Sequence, residues 1–159
     1  MVGLKHTASV FTKLELAYLH GERRLARMAT VGKDGTPHVV PVGWTHNTHT
    51  DTLDVGGHSL AETKKFRDVA RSGRAAIVID DVASTNPFRP RAIEVRGHAE
   101  AITGPEPIIR VYPERIVAWG IDSQRNARTV KALHRTPLTR SRITQDKENA
   151  TPDRHDPRS

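Results

Sequence analysis

The segment VGGHSLAETKKFRDVARSGRAAIVI, residues 55–79, carries the residues with the clearest capacity to bind a ligand. Gly56 and Gly57 end a short apolar run, and glycine lets a ligand approach the backbone closely. A helix start follows, where free N–H groups and the helix dipole attract anions. Lys64 and Lys65 come next in the same helix. This combination is typical of a site that holds a phosphate group.

The same segment also has an ordinary structural interpretation. Ser59 and Glu62 have the spacing of a capping box, which predicts a helix over residues 60–71. In that case the serine is occupied by capping, and the charge of the glutamate in the first turn opposes a phosphate. The spacing alone therefore leaves two alternatives open, phosphate binding and simple capping of a basic surface helix.

The helical repeat distinguishes the two lysines. If Phe66, Val69 and Ala70 face the core, Lys65 falls at the edge of the buried stripe. Lys64 then points to solvent on the far side of the helix. The pattern therefore places Lys65 where its side chain could reach a groove, and it predicts that Lys64 is a solvated charge.

Other catalytic and metal-binding patterns have little support. The chain has nine histidines, but His46 and His49 form the single close pair and lack the partners typical of zinc sites. We therefore predict no metal site. The motifs G-x-S-x-G, G-x-x-x-x-G-K-[ST] and G-x-G-x-x-G do not occur, so nothing favours a serine hydrolase, a P-loop enzyme or a Rossmann-type protein.

The composition predicts a soluble protein with one structured domain. The 159 residues include no cysteine, which fits a cytoplasmic location, and no apolar run long enough to cross a membrane. Residues 123–159 contain nine Lys/Arg and four Asp/Glu, whereas residues 1–122 are close to neutral. We therefore expect a domain over residues 1–122, a basic, disordered tail over residues 123–159, and no nucleic-acid partner.

The elements around the candidate site are mainly β-strands. A first helix begins near Thr12, which has capping-box spacing to Glu15. Asp34-Gly35 lies between two β-prone runs and predicts a hairpin. Short turns join most of about six strands, which favours an antiparallel barrel with two short helices at its openings.

The order of segments resembles the pyridoxamine-phosphate-oxidase-like family of split β-barrels. The matching pieces are Ala29-Thr30, Asp34-Gly35-Thr36-Pro37, Lys65-Phe66-Arg67-Asp68-Val69, Arg74-Ala75-Ala76 and Arg96-Gly97-His98-Ala99. They cover about residues 10–121. The resemblance implies a six-stranded antiparallel FMN-binding split barrel that forms a homodimer with two cofactor sites at the subunit interface.

Two further stretches, NPFRPRAIEVRGHAE and RVYPERIVAWGID, are similar to the subgroup that uses coenzyme F420, a deazaflavin. The resemblance implies a set of cofactor contacts. The phosphate would be held by Lys65 with Gly57, His58 and Ser59, and the ring would lie against Val39, Pro41 and Val42 and near Thr30. Trp119 would come from the final strand, with the partner chain as the favoured source. From the residues alone, Trp119 fits a core aromatic equally well.

The expected function is an F420-dependent reductase that transfers hydride to an activated C=C bond, in antibiotic biosynthesis of the tetracycline type. The cofactor carries this chemistry, so no catalytic side chain is assigned. FMN as the cofactor and a non-catalytic flavin carrier are the alternatives. Pyridoxamine phosphate is not expected as a substrate, because the chain lacks the fuller phosphate-binding set and the C-terminal substrate segment of that enzyme.

Overall fold

One antiparallel sheet of seven strands curls until its strands close a barrel. The computed structural model describes residues 8–131. The strands are β1 (Ala26–Val31), β2 (Pro37–Asn47), β3 (Thr52–Gly56), β4 (Arg74–Thr85), β5 (Phe88–Ile102), β6 (Ile108–Trp119) and β7 (Asn126–Thr129). They lie in the order β3-β2-β1-β4-β5-β6-β7, and β3 also pairs with β6. The predicted six-stranded barrel is confirmed, and β7 extends its sheet at β6.

Strand β6 explains why the barrel is split. Its first part, Ile109–Val111, pairs with β3 and closes the barrel. Its last part, Arg115–Ala118, pairs instead with β7. The strand therefore changes partner halfway along its length while β5 stays beside it throughout.

A β-bulge in β5 and β6 accompanies this change of partner. The pairing skips one residue, so that Arg96 faces Arg115 while Gly97 faces Pro113. A Cβ atom at Gly97 would lie 1.9 Å from the carbonyl oxygen of Tyr112. Only glycine fits at this point, because the two backbones approach more closely than any side chain allows.

Two short helices pack against the barrel. Helix α1 (Lys13–His20) has the predicted capping box, with Thr12 accepting from the N–H of Glu15 and the Glu15 carboxylate accepting from the N–H of Thr12. Tyr18 and Leu19 on this helix, and Phe11 just before it, pack in the core. Helix α2 (Lys64–Ser72) packs on β1 and β5. Neither helix is long and apolar enough to span a membrane, and the described residues contain no other α-helix.

The start of α2 differs from the prediction. Residues 60–62 form a separate 3-10 turn, and α2 begins at Lys64 with Thr63 as its N-cap. Ser59 has a left-handed backbone (φ 49°, ψ 34°) and its side chain makes no capping bond. The predicted capping box of Ser59 and Glu62 is therefore wrong, because the chain turns once more before the helix begins.

The end of the sheet also differs from the expected domain division. Strand β7 lies beyond the predicted boundary at residue 122 and pairs with β6. Arg128 on this strand donates to both carboxylate oxygens of Glu15 at 2.8 and 2.6 Å, which ties β7 to α1. The rest of the predicted disordered tail, residues 132–159, lies outside the described residues.

Replacing Gly97 by alanine tests the bulge. We expect Gly97→Ala to lower the free energy of unfolding by about 3 kcal/mol, because the added methyl group overlaps backbone atoms that cannot move away. Urea unfolding followed by circular dichroism measures the change. Gly43→Ala is the control, since a Cβ atom there meets nothing within 4 Å. Equal urea midpoints for the two variants would contradict this account of the bulge.

Candidate functional site

A cleft of about 470 Å³ lies at the end of β3. Its walls come from the chain that follows β3 and from the turn that leads into β6. The lining residues are Gly56, Gly57, His58, Ser59, Leu60, Ala61, Glu62, Pro105, Glu106, Pro107 and Ile108. Three of the predicted cofactor residues, Gly57, His58 and Ser59, therefore lie together in one cavity.

The chain after β3 turns sharply and presents the polar side chains of His58 and Ser59 at this cleft. Gly57 has a φ of 156°, and Ser59 follows in the left-handed region. The hydroxyl of Ser59 makes no hydrogen bond with any residue between 8 and 131, and the side chain of His58 is exposed. Both side chains are therefore available to a ligand in the cleft.

The cleft also carries two acidic side chains, Glu62 and Glu106. Arg67 donates to the backbone carbonyl of Glu62 at 2.7 Å and leaves its carboxylate free of that bond. Two carboxylates at one cavity disfavour the binding of an anion there. The expectation that the charge of Glu62 opposes a phosphate therefore applies to the cleft itself, whose lining does not include Lys65.

The two lysines of α2 have different surroundings from those predicted. Lys64 is the more exposed, but its ammonium group donates to both carboxylate oxygens of Asp68 at 3.0 and 2.9 Å. It is not a simple solvated charge. Lys65 is half-buried at the edge of the helix, as the helical repeat predicts, whereas Ala70 is exposed and does not face the core. Within residues 8–131, no hydrogen bond or ion pair involves the Lys65 side chain.

Asp68 is a buried carboxylate, 2% exposed, that the sequence analysis missed. The hydroxyl of Thr30 donates to it at 2.9 Å, and Arg71 lies 3.6 Å away. Burial raises the pKa of Asp68, but the hydrogen bonds from Lys64 and Thr30 outweigh burial and hold it below the usual range. The spacing of Lys64 and Asp68, four residues apart on a helix, is the sequence signal for this pair.

The outer face of β2 forms an open shelf beside the cleft. Val39, Pro41 and Gly43 alternate outward along β2, and Gly43 pairs with Gly56 on β3. A Cβ atom at Gly43 or at Gly56 would meet nothing within 4 Å. We call Val39, Pro41, Gly43 and Gly56 the shelf. It is a mostly apolar surface that meets the cleft at Gly56.

The structure separates the other predicted residues from this shelf. Val42 lies in the core and is 5% exposed, because it alternates with Pro41 and points inward. Thr30 is 2% exposed and its hydroxyl is bound to Asp68. Neither side chain reaches the outer face of β2, so any contact of these two residues with a ring on the shelf would be through the backbone.

Trp119 lies at the far end of β6 from the cleft. Ile108, the first residue of β6, lines the cleft, and Trp119 is the last residue of the same strand. The strand rise of about 3.3 Å per residue places the two roughly 35 Å apart along β6. Trp119 pairs with Ala92, and alternation puts both on the outer face of the sheet. Trp119 of the same chain is therefore not part of this cleft.

The arrangement favours binding over nucleophilic catalysis. In the described part of the chain, no serine or threonine hydroxyl is hydrogen-bonded to a histidine. His46, one of the histidines weighed for metal binding, is instead bonded to Asp51 at 2.9 Å and to His20 at 2.8 Å. The shelf offers an apolar surface to a planar group, and the cleft offers polar groups to its substituents.

Comparison with known proteins gives consistent matches. The family model described as pyridoxamine 5′-phosphate oxidase matches residues 13–143. A protein of Streptomyces rimosus, named 5a,11a-dehydrotetracycline/5a,11a-dehydrooxytetracycline reductase, is 38% identical over 121 residues, covering 70% of this chain and 84% of that protein.

Two solved structures share the fold. One is a conserved hypothetical protein of Mycobacterium tuberculosis, with a TM-score of 0.57 and 17% identity, covering 71% of this chain and 89% of the other. The second is a FAD-binding protein of Mycobacterium smegmatis, with a TM-score of 0.52 and 19% identity, covering 76% and 99%. At these identities the likeness concerns the fold alone.

The Lys64–Asp68 pair predicts different effects of the two lysines on stability. We expect Lys64→Ala to lower the free energy of unfolding by about 1 kcal/mol, because a buried carboxylate loses a charged partner that is itself half-exposed. Lys65→Ala should change it by less than about 0.5 kcal/mol, because the Lys65 side chain has no hydrogen bond or ion pair to lose among the described residues. Urea unfolding of both variants at neutral pH measures the difference. A larger loss for Lys65→Ala would contradict the pairing.

Asp68 also predicts a pH dependence. Its pKa is lowered in the folded protein, so its contribution to stability is present above the unfolded value of about 3.9 and is lost as pH falls through the folded value. Asp68→Asn should therefore flatten the loss of stability between about pH 5 and pH 2. Urea unfolding across that range measures it, with Glu22→Gln as an exposed carboxylate control. Parallel curves for Asp68→Asn and the wild type would refute this.

Proposed function

The chain belongs to the pyridoxamine 5′-phosphate oxidase family, and from this membership we propose that it is an oxidoreductase that works with a flavin-type or deazaflavin cofactor. The more specific proposal is a reductase that uses coenzyme F420 and transfers hydride to an activated C=C bond of an organic substrate. The relative from Streptomyces rimosus carries the name of a reductase, and this supports the reaction class.

The observation that carries the proposal is the open shelf. Gly43 and Gly56 face each other across β2 and β3 with empty space where side chains would stand. Val39, 64% exposed, continues this surface with Pro41. A planar, largely apolar ring fits such a surface, because burying it stabilises the complex without displacing any side chain.

The phosphate is proposed to lie between the shelf and α2. Lys65 is the half-buried cation nearest in sequence to the cleft, and no described residue neutralises it. Lys64 is already paired with Asp68. The hydroxyl of Ser59 supplies a further donor at the cleft. Glu62 and Glu106 line the cleft and disfavour an anion inside it, so the phosphate is proposed to lie beside Lys65 instead.

The bound cofactor would supply the hydride that reduces the substrate. The residues of this chain would orient the ring on the shelf, hold its phosphate near Lys65 and exclude water from the apolar surface around Pro41. We assign no general acid, base or nucleophile. By analogy with the name of the relative, 5a,11a-dehydrotetracycline is the first substrate to test.

Titration with coenzyme F420 and FMN tests the assignment of Lys65. We expect Lys65→Ala to weaken binding of the preferred cofactor at least tenfold, which corresponds to about 1.4 kcal/mol. Lys64→Ala should have a much smaller effect on affinity despite its effect on stability. Fluorescence titration of the full chain at neutral pH, where both variants are confirmed folded, gives the affinities. Unchanged affinities for Lys65→Ala would overturn the phosphate assignment.

Turnover distinguishes the alternatives. An F420-dependent enzyme oxidises reduced F420 when an enone such as 5a,11a-dehydrotetracycline is added, and it does so in air. Reduced FMN is reoxidised by oxygen itself, so an FMN-dependent enzyme must be assayed anaerobically. Tight binding of either cofactor without turnover of any enone would instead indicate a carrier protein.

Filling the shelf tests the position of the ring. We expect Gly43→Val to leave the fold intact, because its side chain enters open space, and to weaken cofactor binding at least tenfold by occupying the surface of the ring. Thr45→Val, the next outward position on β2, is the matched control and should bind as the wild type does. Cofactor titration compares the two. Equal affinity in both variants would place the ring elsewhere.

A further inference from the structure

A chain of hydrogen bonds joins the end of α1 to the turn between β2 and β3. The Nε2 atom of His20, the last residue of α1, lies 2.8 Å from the Nδ1 atom of His46 on β2. The Nε2 atom of His46 lies 2.9 Å from a carboxylate oxygen of Asp51 in the turn. We call His20 and His46 the histidine pair. The proposed cofactor site uses none of these three residues.

The inner end of this chain of bonds is buried. The side chain of His46 is 3% exposed, whereas His20 faces solvent. Asp51 accepts two further bonds at 2.7 Å, from the hydroxyl of Ser9 and from the backbone N–H of Val10. Burial raises the pKa of Asp51, but its bonds with His46, Val10 and Ser9 outweigh burial and hold it below the usual range. Asp51 is therefore ionised at neutral and mildly acidic pH and can only accept hydrogen bonds.

The ionised carboxylate fixes one proton of His46. Because Asp51 has no proton to give, the Nε2 atom of His46 must be the donor in their contact. A neutral His46 then has no proton on Nδ1, since neutral imidazole carries a single N–H group. The free Nδ1 atom accepts from the Nε2–H group of His20, so both bonds are satisfied while the two rings are neutral.

The two rings of the pair meet end to end. Their planes differ by 28° and their centroids lie 5.1 Å apart, which is close to the sum of the 2.8 Å contact and the two ring radii. The two nitrogens therefore lie on the line between the ring centres and point at each other. This contact has room for one hydrogen atom. It is too short for a metal ion, which would hold two in-line nitrogens about 4 Å apart.

The number of bound protons decides whether the rings can stay in contact. A first added proton can reside on either ring, because one hydrogen atom still lies between the nitrogens and the bond becomes charge-assisted. A second added proton places an N–H group on each nitrogen, and two donors cannot bond to each other. Two cations in contact also repel. The contact is therefore stable with up to one added proton and unstable with two.

We propose that His20, His46 and Asp51 form a pH-operated latch, which holds the end of α1 on the β2–β3 turn near neutral pH and releases it when both rings are protonated. His20 is the residue that leaves, because it is exposed, whereas His46 stays bonded to Asp51 inside the protein. The latch is a conformational device of the fold, and it does not rest on the proposed function.

Other charged groups near α1 leave the pair to Asp51. Glu15 accepts from Arg128 of β7, and Asp81 of β4 accepts from Arg24. The remaining charged side chains on and just after α1 are exposed: Lys13, Glu22 and Arg23. In residues 8–131, Asp51 is the one charged group in hydrogen-bond contact with the histidine pair. The Glu15 and Asp81 pairs keep the body of α1 in place, so opening is confined to its last turn.

NMR of the full chain labelled with ¹⁵N tests the proton positions and the opening. At pH 8 we expect His46 to carry its proton on Nε2 and none on Nδ1. Between pH 7.5 and pH 4.5, the amide of Leu19 in the last turn of α1 should lose at least tenfold of its protection against hydrogen exchange, after correction for the intrinsic pH dependence. The amide of Ile77 in β4 should keep its protection, which distinguishes local opening from unfolding.

Two matched variants separate the latch from a general effect of acid. His20→Gln keeps an N–H donor for His46 but does not titrate, so its Leu19 protection should change less than twofold. His49→Gln is the control, because His49 is an exposed histidine in the same turn and its side chain makes no hydrogen bond within the described residues. It should lose protection as the wild type does.

Three results would overturn the latch. The first is a proton on Nδ1 of His46 at pH 8. The second is equal Leu19 protection at the two pH limits in the wild type. The third is the same loss of protection in His20→Gln as in the wild type.

Discussion

The closure of the barrel between β3 and β6 is the constraint on which the rest of the structure depends. Three residue pairs join the strands, and the central pair is Asp54 with Arg110. The guanidinium donates to both carboxylate oxygens at 2.9 and 2.8 Å, and Asn47 and Thr52 bind the same carboxylate. Burial raises the pKa of Asp54, but these bonds outweigh burial and keep it below the usual range. The pair therefore stays ionised in a mostly buried position.

This closure also creates the candidate site. The cleft lies where β3 ends at Gly56 and β6 begins at Ile108, so its two walls meet only because these strands pair. Beyond the closure, β6 leaves β3, and the bulge at Gly97 accommodates the change of direction. Strand β6 therefore makes the tight backbone contact with Gly97 in the middle of the sheet, and its first residue, Ile108, lines the open cleft at the edge. The shelf on β2 is presented beside this cleft by the Gly43–Gly56 pair.

Much of the fold could be predicted from the sequence, because strand alternation and turn residues are local signals. The Asp34-Gly35 turn, the capping box at Thr12 and the predicted barrel are all present. The start of α2 could not be placed, because Ser59 and Glu62 have capping-box spacing although the chain makes a further turn there. The spacing of two residues shows only which hydrogen bonds are possible between them. Here Leu60 is buried in the core, and this contact favours the extra 3-10 turn over a helix capped by Ser59.

The sequence by itself determined the succession of helices and strands along the chain, the family resemblance and the segment in which ligand-binding residues concentrate. The tertiary structure alone decided that Val39 and Pro41 face outward while Val42 is buried, since alternation assigns residues to two faces without stating which is covered. It also separated Trp119 from the cleft and buried Asp68, the local partner of Lys64, beside Thr30 of β1. The burial of Val42 and Asp68 and the position of Trp119 depend on contacts between segments that are distant in sequence. No local pattern determines these contacts.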